Sequence, residues 1–375
     1  MNVFDVAEVF VSHATERHGS DVGIIAYYGS YALGEASPTS DLDLIYIPED
    51  GKAATLSACF LLEGVCFDFF PISWARAERF AIGADSWAVG PALIANAKVL
   101  YARSEADAER FSGLQAQTAE LCSPARRKEM LERAKQKWRD VLVELGSLHL
   151  AEAHNDLESV RKAGWRVAMA CVESLALVNQ TYFQRGWDAN FEEILQLESR
   201  PPFTREEITN IALSPQMSVI AKSATNLAIG VQSLLQEITT TSESMGESVF
   251  VNYYPEMRDK VNKIARRRDS GNLVGASWAA MFVQDEVARF LAQDVEGLTY
   301  PDGELYATCA ETYRSEGFPS LMGVLNDDDV AQFGEQTQKL DTCMRSWLGR
   351  RGIALNELGS LDELRKFLQR RDPIA

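Results

Sequence analysis

The sequence predicts an α+β protein: a small domain with a mixed β-sheet and flanking helices over residues 1–115, then a large all-helical region over residues 116–375. Three observations carry this expectation. Within the first hundred residues, short apolar runs bounded by Gly and Pro alternate with stretches of helical periodicity. From about Cys122 onward, apolar residues recur at helical spacing with few breaks. The length of 375 residues exceeds what one core ordinarily fills. A polar stretch, TTTSESMGES, places an internal break near residues 238–250.

Taken in order, VFDVAEVFVSHATERHG spaces Val3, Val6, Phe10 and Val11 along one helical face and stops at Gly19. VGIIAYYG reads as a buried strand, YALGEASPTS as a turn-rich connection, and DLDLIYIP as a second strand stopped by Pro48. KAATLSACFLLE reads as a helix or as a helix plus an edge strand. GVCFDFFPIS is a third strand between Gly64 and Pro71. A helix around SWARAERF follows, and PALIANAKVLYAR ends in a last helix or strand. Beyond these, long segments such as SVIAKSATNLAIGVQSLLQEI and ASWAAMFVQDEVARFLAQ are helical by period.

Composition excludes several classes. A formal net charge of −17 repels phosphate backbones and anionic lipid, so neither nucleic acid nor membrane is an expected partner. The six cysteines show no CxxC spacing and sit mostly among apolar neighbours, which argues against a disulfide framework and a structural zinc site. No apolar run is long enough to span a bilayer, and the start MNVFDVAEVF has no basic segment. A cytoplasmic location is the expectation. The four histidines are not spaced as ligands and read as structural or surface residues.

One stretch departs from ordinary patterning. Asp41 and Asp43 lie one residue apart inside an apolar strand, so they share a face while Leu42 and Leu44 take the other. Like charges held together repel unless a cation lies between them. An all-oxygen donor set suits Mg²⁺ or Mn²⁺. Asp68 in VCFDFF is a third acid embedded in apolar sequence, and it completes the cluster if its strand lies beside DLDLIYI. Ten residues before Asp41 ends the pair Gly29-Ser30, where glycine permits close approach of backbone to a phosphate and the hydroxyl can donate to one. Together these parts describe a metal–nucleotide site. The blander alternative is an exposed strand face with solvated acids and a plain turn.

A triphosphate also needs cations. Lys137, Arg161, Lys162, Arg166 and Arg185 are candidates from the helical region, with Lys162 and Arg166 on one helix face. A solvated helix face is the plainer reading of each. The basic run Lys263 to Arg268 reads as charge placed against a helix C-terminus.

The string GSYALGEASPTSDLDL, in its strand context between about residues 23 and 72, resembles the nucleotidyltransferase superfamily pattern of Gly-Ser followed some ten residues later by Asp-x-Asp. The helical stretch VAMACVESLALVNQTYFQRGW is similar in texture to the domain that follows this fold in antibiotic-modifying members. The resemblance implies transfer of a nucleoside monophosphate, AMP foremost, from ATP or another NTP to a hydroxyl of a small-molecule acceptor, with an aminoglycoside-type antibiotic as the expected class. It implies that Asp41 and Asp43 bind the catalytic metals and that Gly29 and Ser30 hold the β/γ-phosphates. Asp68 is then a metal ligand or the general base. Glu173, on the VAMACVESLAL helix, is the alternative base should Asp68 serve only the metal. Some relatives build their site across a homodimer. Two other readings stay open: a protein-modifying, AMPylating enzyme like the minimal members paired with toxins, and a non-catalytic nucleotide-binding or interaction module.

Overall fold

A computed structural model describes residues 2–37, 40–49, 56–186, 190–239, 253–296, 306–324 and 330–369. They fall into two compact units, Met1–Ile238 and Thr239–Ala375. The expected break near 238–250 lies almost wholly outside the described residues.

The first unit is built on a five-stranded mixed sheet. Helix α1 (Val3–His18) starts where the Asn2 side chain accepts the Phe4 N–H, and it buries Val3, Ala7, Phe10 and Ala14 at helical spacing. Strand β1 (Val22–Tyr27) leads through the single helical turn α2 (Ser30–Leu33) to β2 (Leu42–Pro48). Strand β3 (Ala58–Leu62) and β4 (Val65–Pro71) form a hairpin whose two turn residues, Glu63 and Gly64, both have positive φ, 52° and 84°. That conformation matches the twist of antiparallel strands, and glycine adopts it without strain. KAATLSACFLLE therefore ends in an edge strand, while a helix over its first residues falls partly outside the described set. Helices α3 (Trp74–Ala81) and α4 (Ala92–Ala95) precede β5 (Lys98–Ala102) and α5 (Glu105–Leu121). The order across the sheet is β3-β4-β2-β1-β5, with β2 and β4 parallel and the other neighbours antiparallel.

Both faces of the sheet are covered. Leu42, Leu44, Tyr46, Phe67 and Phe69 pack with Phe10 and Ala7 of α1. Ile24, Ala26, Ile45 and Ile47 pack with Trp74, Ala77, Ile94, Phe111 and Leu114 of α3, α4 and α5. Each Leu, Ile or Phe among them, when fully buried, contributes about 1.5–3 kcal/mol. Double coverage explains why these strands read as nearly continuous apolar runs.

Helix α5 runs unbroken across residue 115, where the sequence placed the seam between domains. The antiparallel pair α6 (Arg127–Ala153) and α7 (Leu157–Val178) follows, then α8 (Phe191–Gln196), α9 (Thr204–Leu213) and α10 (Met217–Thr239). The turn after α3 ties this helical part to the sheet. Glu173 of α7, buried, accepts the N–H groups of Trp87 and Ala88 at 3.0 and 3.1 Å and the Ser86 hydroxyl. Arg133 of α6 donates to the Ile82 carbonyl at 2.6 Å and lies 5.1 Å from the centre of the Trp87 ring. Gly83 has φ 60°, and a Cβ there would meet Trp87 Cα at 2.7 Å. Trp87 thereby fills the helical core beside Val172, Ala176 and Phe183.

The second unit is helical: α11 (Tyr253–Asp269), α12 (Leu273–Glu296), α13 (Tyr306–Ser315), α14 (Val330–Arg350) and α15 (Leu361–Gln369). Its core includes Met257, Val261, Ile264, Val287, Leu291, Leu340 and Trp347. Arg266, Arg267 and Arg268 occupy the last turn of α11, where the helix dipole favours cations. Among the described residues no helix is long and apolar enough to cross a membrane.

Removing the Glu173 carboxylate strands two buried N–H groups, so Glu173→Ala is expected to cost about 2 to 4 kcal/mol of stability. Urea unfolding followed by circular dichroism measures this; a loss under about 0.5 kcal/mol, the range of an ordinary surface change, would refute the tie.

Candidate active site

The parallel register of β2 and β4 sets Asp43 directly beside Asp68. Parallel neighbours in register project to the same face, so the two carboxylates share the side that also carries Ile45 and Ile47. Asp41, two residues before Asp43, lies at the open end of the same face. Asp43 is half-buried and Asp41 exposed. Burial, then Asp41, then Asp68 push the Asp43 carboxyl up to about 6 from its usual 3.8. The same three acids, after burial, raise the neighbouring Tyr28 hydroxyl. No Lys, Arg or His lies within ion-pair distance of Asp41, Asp43 or Asp68 among the described residues.

Gly29 adjoins this cluster. Its φ is 72°, and a Cβ placed on it would lie 3.6 Å from Asp43 Oδ2. Any side chain here would be strained and would lean on that carboxylate. Ser30 opens α2, and its hydroxyl has no partner among the described residues. Tyr28, Gly29, Ser30, Asp41 and Asp43 line one cavity of about 610 Å³. Its opposite wall is Val89, Ala92, Leu93 and Asn96 around α4, with Gln184, Arg185 and Gly186 from the segment after α7.

The remaining sequence candidates lie elsewhere. Asp68 is not among the residues lining the cavity, although it adjoins Asp43 through the strand pairing. Glu173 lines no part of it, and its carboxylate is engaged by Ser86, Trp87 and Ala88; burial raises its carboxyl against those hydrogen bonds. Lys162 is exposed on α7 and Arg166 pairs with Glu144 at 2.6 Å. Arg161 donates to the carbonyls of Ile211, Ala212 and Ser214, capping the end of α9. Lys137 pairs with Asp140 on the wall of a separate cavity of about 710 Å³. That larger cavity balances Arg126, Arg133 and Lys137 against Glu120, Glu129 and Asp140.

The donor chemistry suits a hard divalent cation: carboxylates without counter-ions among the described residues, one of them with a pKa raised by burial and by its neighbours. As the side chains stand, no three acidic, His or Cys groups among the described residues converge to ligating distance. Asp41 and Asp43 lie on the cavity, and Asp68 adjoins Asp43 through the strand pairing.

A pH dependence follows for metal-free protein. The folded pKa of Asp43 is raised, so its contribution favours the fold at acidic pH, and that contribution is lost as pH climbs from about 4 to about 6. Asp43→Asn is therefore expected to raise the melting temperature at pH 7.5 but not at pH 4, and Mg²⁺ to stabilise wild type but not the variant. Equal melting temperatures for the two proteins at pH 7.5 would refute the crowding.

Comparison with known proteins agrees with the helical part of this unit. Residues 109–241 match the family described as the KNTase C-terminal domain. A solved nucleotidyltransferase-like protein from Exiguobacterium sibiricum 255-15 is similar at 10% identity, covering 62% of this chain and 75% of its own, with a TM-score of 0.39. That likeness is too slight to bear on function. None of the curated proteins compared matches the sequence. The matched helical domain thus follows a sheet that carries Gly29-Ser30 and Asp41-x-Asp43, and the family match itself covers residues 109–241.

Proposed function

We propose that the protein transfers a nucleoside monophosphate, AMP foremost, from a nucleoside triphosphate to a hydroxyl of a small-molecule acceptor, with release of pyrophosphate. The observation that carries this reading is the group of acids, Asp41, Asp43 and Asp68, without counter-ions among the described residues and set beside Gly29 and Ser30. Such a group is unfavourable in isolation and becomes favourable with Mg²⁺ or Mn²⁺ and a nucleotide.

Asp41 and Asp43, with Asp68 behind them, would hold the divalent cation, which when bound neutralises charge on the phosphates. Gly29 leaves room for a phosphate against the backbone, and the Ser30 hydroxyl donates to one of its oxygens. The acceptor hydroxyl attacks the α-phosphorus, the bond to the bridging oxygen breaks, and pyrophosphate carries away the electron pair. The hydroxyl proton passes to a carboxylate; Asp68, which adjoins Asp43 without lining the cavity, is the candidate if it does not serve the metal. Glu173 is less suited, because its oxygens are already occupied as acceptors. Holding the reactants in line supplies much of the rate. The cavity is anionic, with Glu35, Asp41 and Asp43 on its walls, which suits a cationic acceptor of the aminoglycoside type.

The test combines the protein, Mg²⁺, labelled ATP and a panel of aminoglycosides. Acceptor-dependent pyrophosphate release is expected, falling at least about a hundredfold in Asp43→Ala while the fold is kept. Nucleotide binding with no release for any acceptor would refute the transferase reading.

A further inference from the structure

Among the described residues lining the candidate site, Arg185 is the one cation, facing Glu35, Asp41 and Asp43. It reaches the cavity from the segment after α7, and that segment is held firmly. The backbone N–H groups of Gln184 and Arg185 donate to the Glu193 carboxylate at 2.6 and 3.1 Å. The Gln184 side chain accepts from Asn96 Nδ2 at 2.5 Å, across the cavity wall. The Arg185 guanidinium itself donates to Glu35 at 2.8 Å, and both side chains are about half exposed, 52% and 51%. Glu35 in turn lies just past Gly34, the cap of α2, its N–H donating to the carbonyl of Ser30 at 2.9 Å.

We propose that Arg185 is the cation that grips the β/γ-phosphates of the bound nucleotide, and that Glu35 is a resident counter-ion which the triphosphate displaces. The proposal rests on the nucleotidyl-transfer reading above and deepens it. An exposed ion pair contributes little, so giving up Glu35 costs little. A guanidinium meets phosphate oxygens through two parallel charge-assisted hydrogen bonds, a better match than one carboxylate at half exposure. The backbone anchors mean that only the side chain must turn. Of the other candidate cations, Arg166 pairs with Glu144, Arg161 with three carbonyls and Lys137 with Asp140, while Lys162 is exposed on α7 and lines no part of this cavity. The exchange also makes the site selective for nucleotide length, because a monophosphate offers nothing at the Arg185 end.

Isothermal titration with Mg²⁺ and ATP, ADP or AMP tests this. Arg185→Ala is expected to weaken ATP at least about tenfold while AMP changes less than about twofold. Arg185→Lys should fall between, and Glu35→Gln should tighten ATP by about threefold, the scale of one exposed ion pair. Melting temperatures of the variants, whose side chains are exposed, confirm that they fold. If wild type binds ATP and Arg185→Ala binds it equally well, the role of Arg185 is refuted and the nucleotidyl-transfer reading stands. If Arg185→Ala weakens ATP and AMP alike, the β/γ assignment is refuted. If wild type binds no nucleotide with Mg²⁺, both the reading and this proposal fall.

Discussion

Parallel pairing of β2 with β4 is the constraint from which the site follows. A one-residue slip in this pairing would have put Asp43 and Asp68 on opposite faces. In register, they stand side by side on a face otherwise devoted to Ile45, Ile47 and their helical partners. The repulsion between them is tolerated because it falls at the open end of the sheet, beyond the residues packed by α3 and α5. The apolar remainder of both strands, Leu42, Leu44, Phe67 and Phe69, is fully buried against α1 and holds the register. A locally unfavourable cluster is thus imposed by a larger favourable one, which is the usual signature of a site built to bind something.

The helical half of the first unit does more than cover the sheet. Glu173 and Arg133 grip opposite polarities of one turn, the carboxylate taking N–H groups and the guanidinium taking carbonyls. That turn leads directly into Val89 and α4, the far wall of the candidate cavity. A buried carboxylate on an apolar helix has the appearance of a functional group, and burial does raise its pKa. Its three donors give it a structural task instead. The distance between the two halves of the cavity is therefore set by hydrogen bonds remote from the acids.

What the sequence made legible was whatever depends on local period. Asp41 and Asp43 share a face because strands alternate, and that is readable from two letters one apart. Gly29 is readable as a small residue in the turn after an apolar strand, whereas its φ of 72° appears only in the structure. The neighbourhood of Asp68 was legible only conditionally, since strand order is not written in any short stretch. Lys162 and Arg166 had the right charge and spacing, but the side of α7 that faces solvent depends on how α6 packs, as the Arg166–Glu144 pair shows. Residue 115 lies inside α5, which has no local signal marking which half it serves: it packs on the sheet through Phe111 and Leu114 and then continues toward α6.

Charge explains why the two halves belong to one unit. On the described walls of the cavity, the sheet and α2 supply only acids and neutral groups: Glu35, Asp41, Asp43, Ser30 and the backbone at Gly29. The single positive group, Arg185, comes from beyond α7, in the region that matches the KNTase C-terminal domain. A sheet domain alone would present a site with one sign of charge, repelling a polyanion until cations screened it. Anchoring the Arg185 backbone to Glu193, and its neighbour Gln184 to Asn96, sets one cation among those acids and gives the cavity both signs of charge. A ligand that is itself divided, with phosphates at one end and a neutral or cationic partner at the other, is the kind that such a polarised cavity orients.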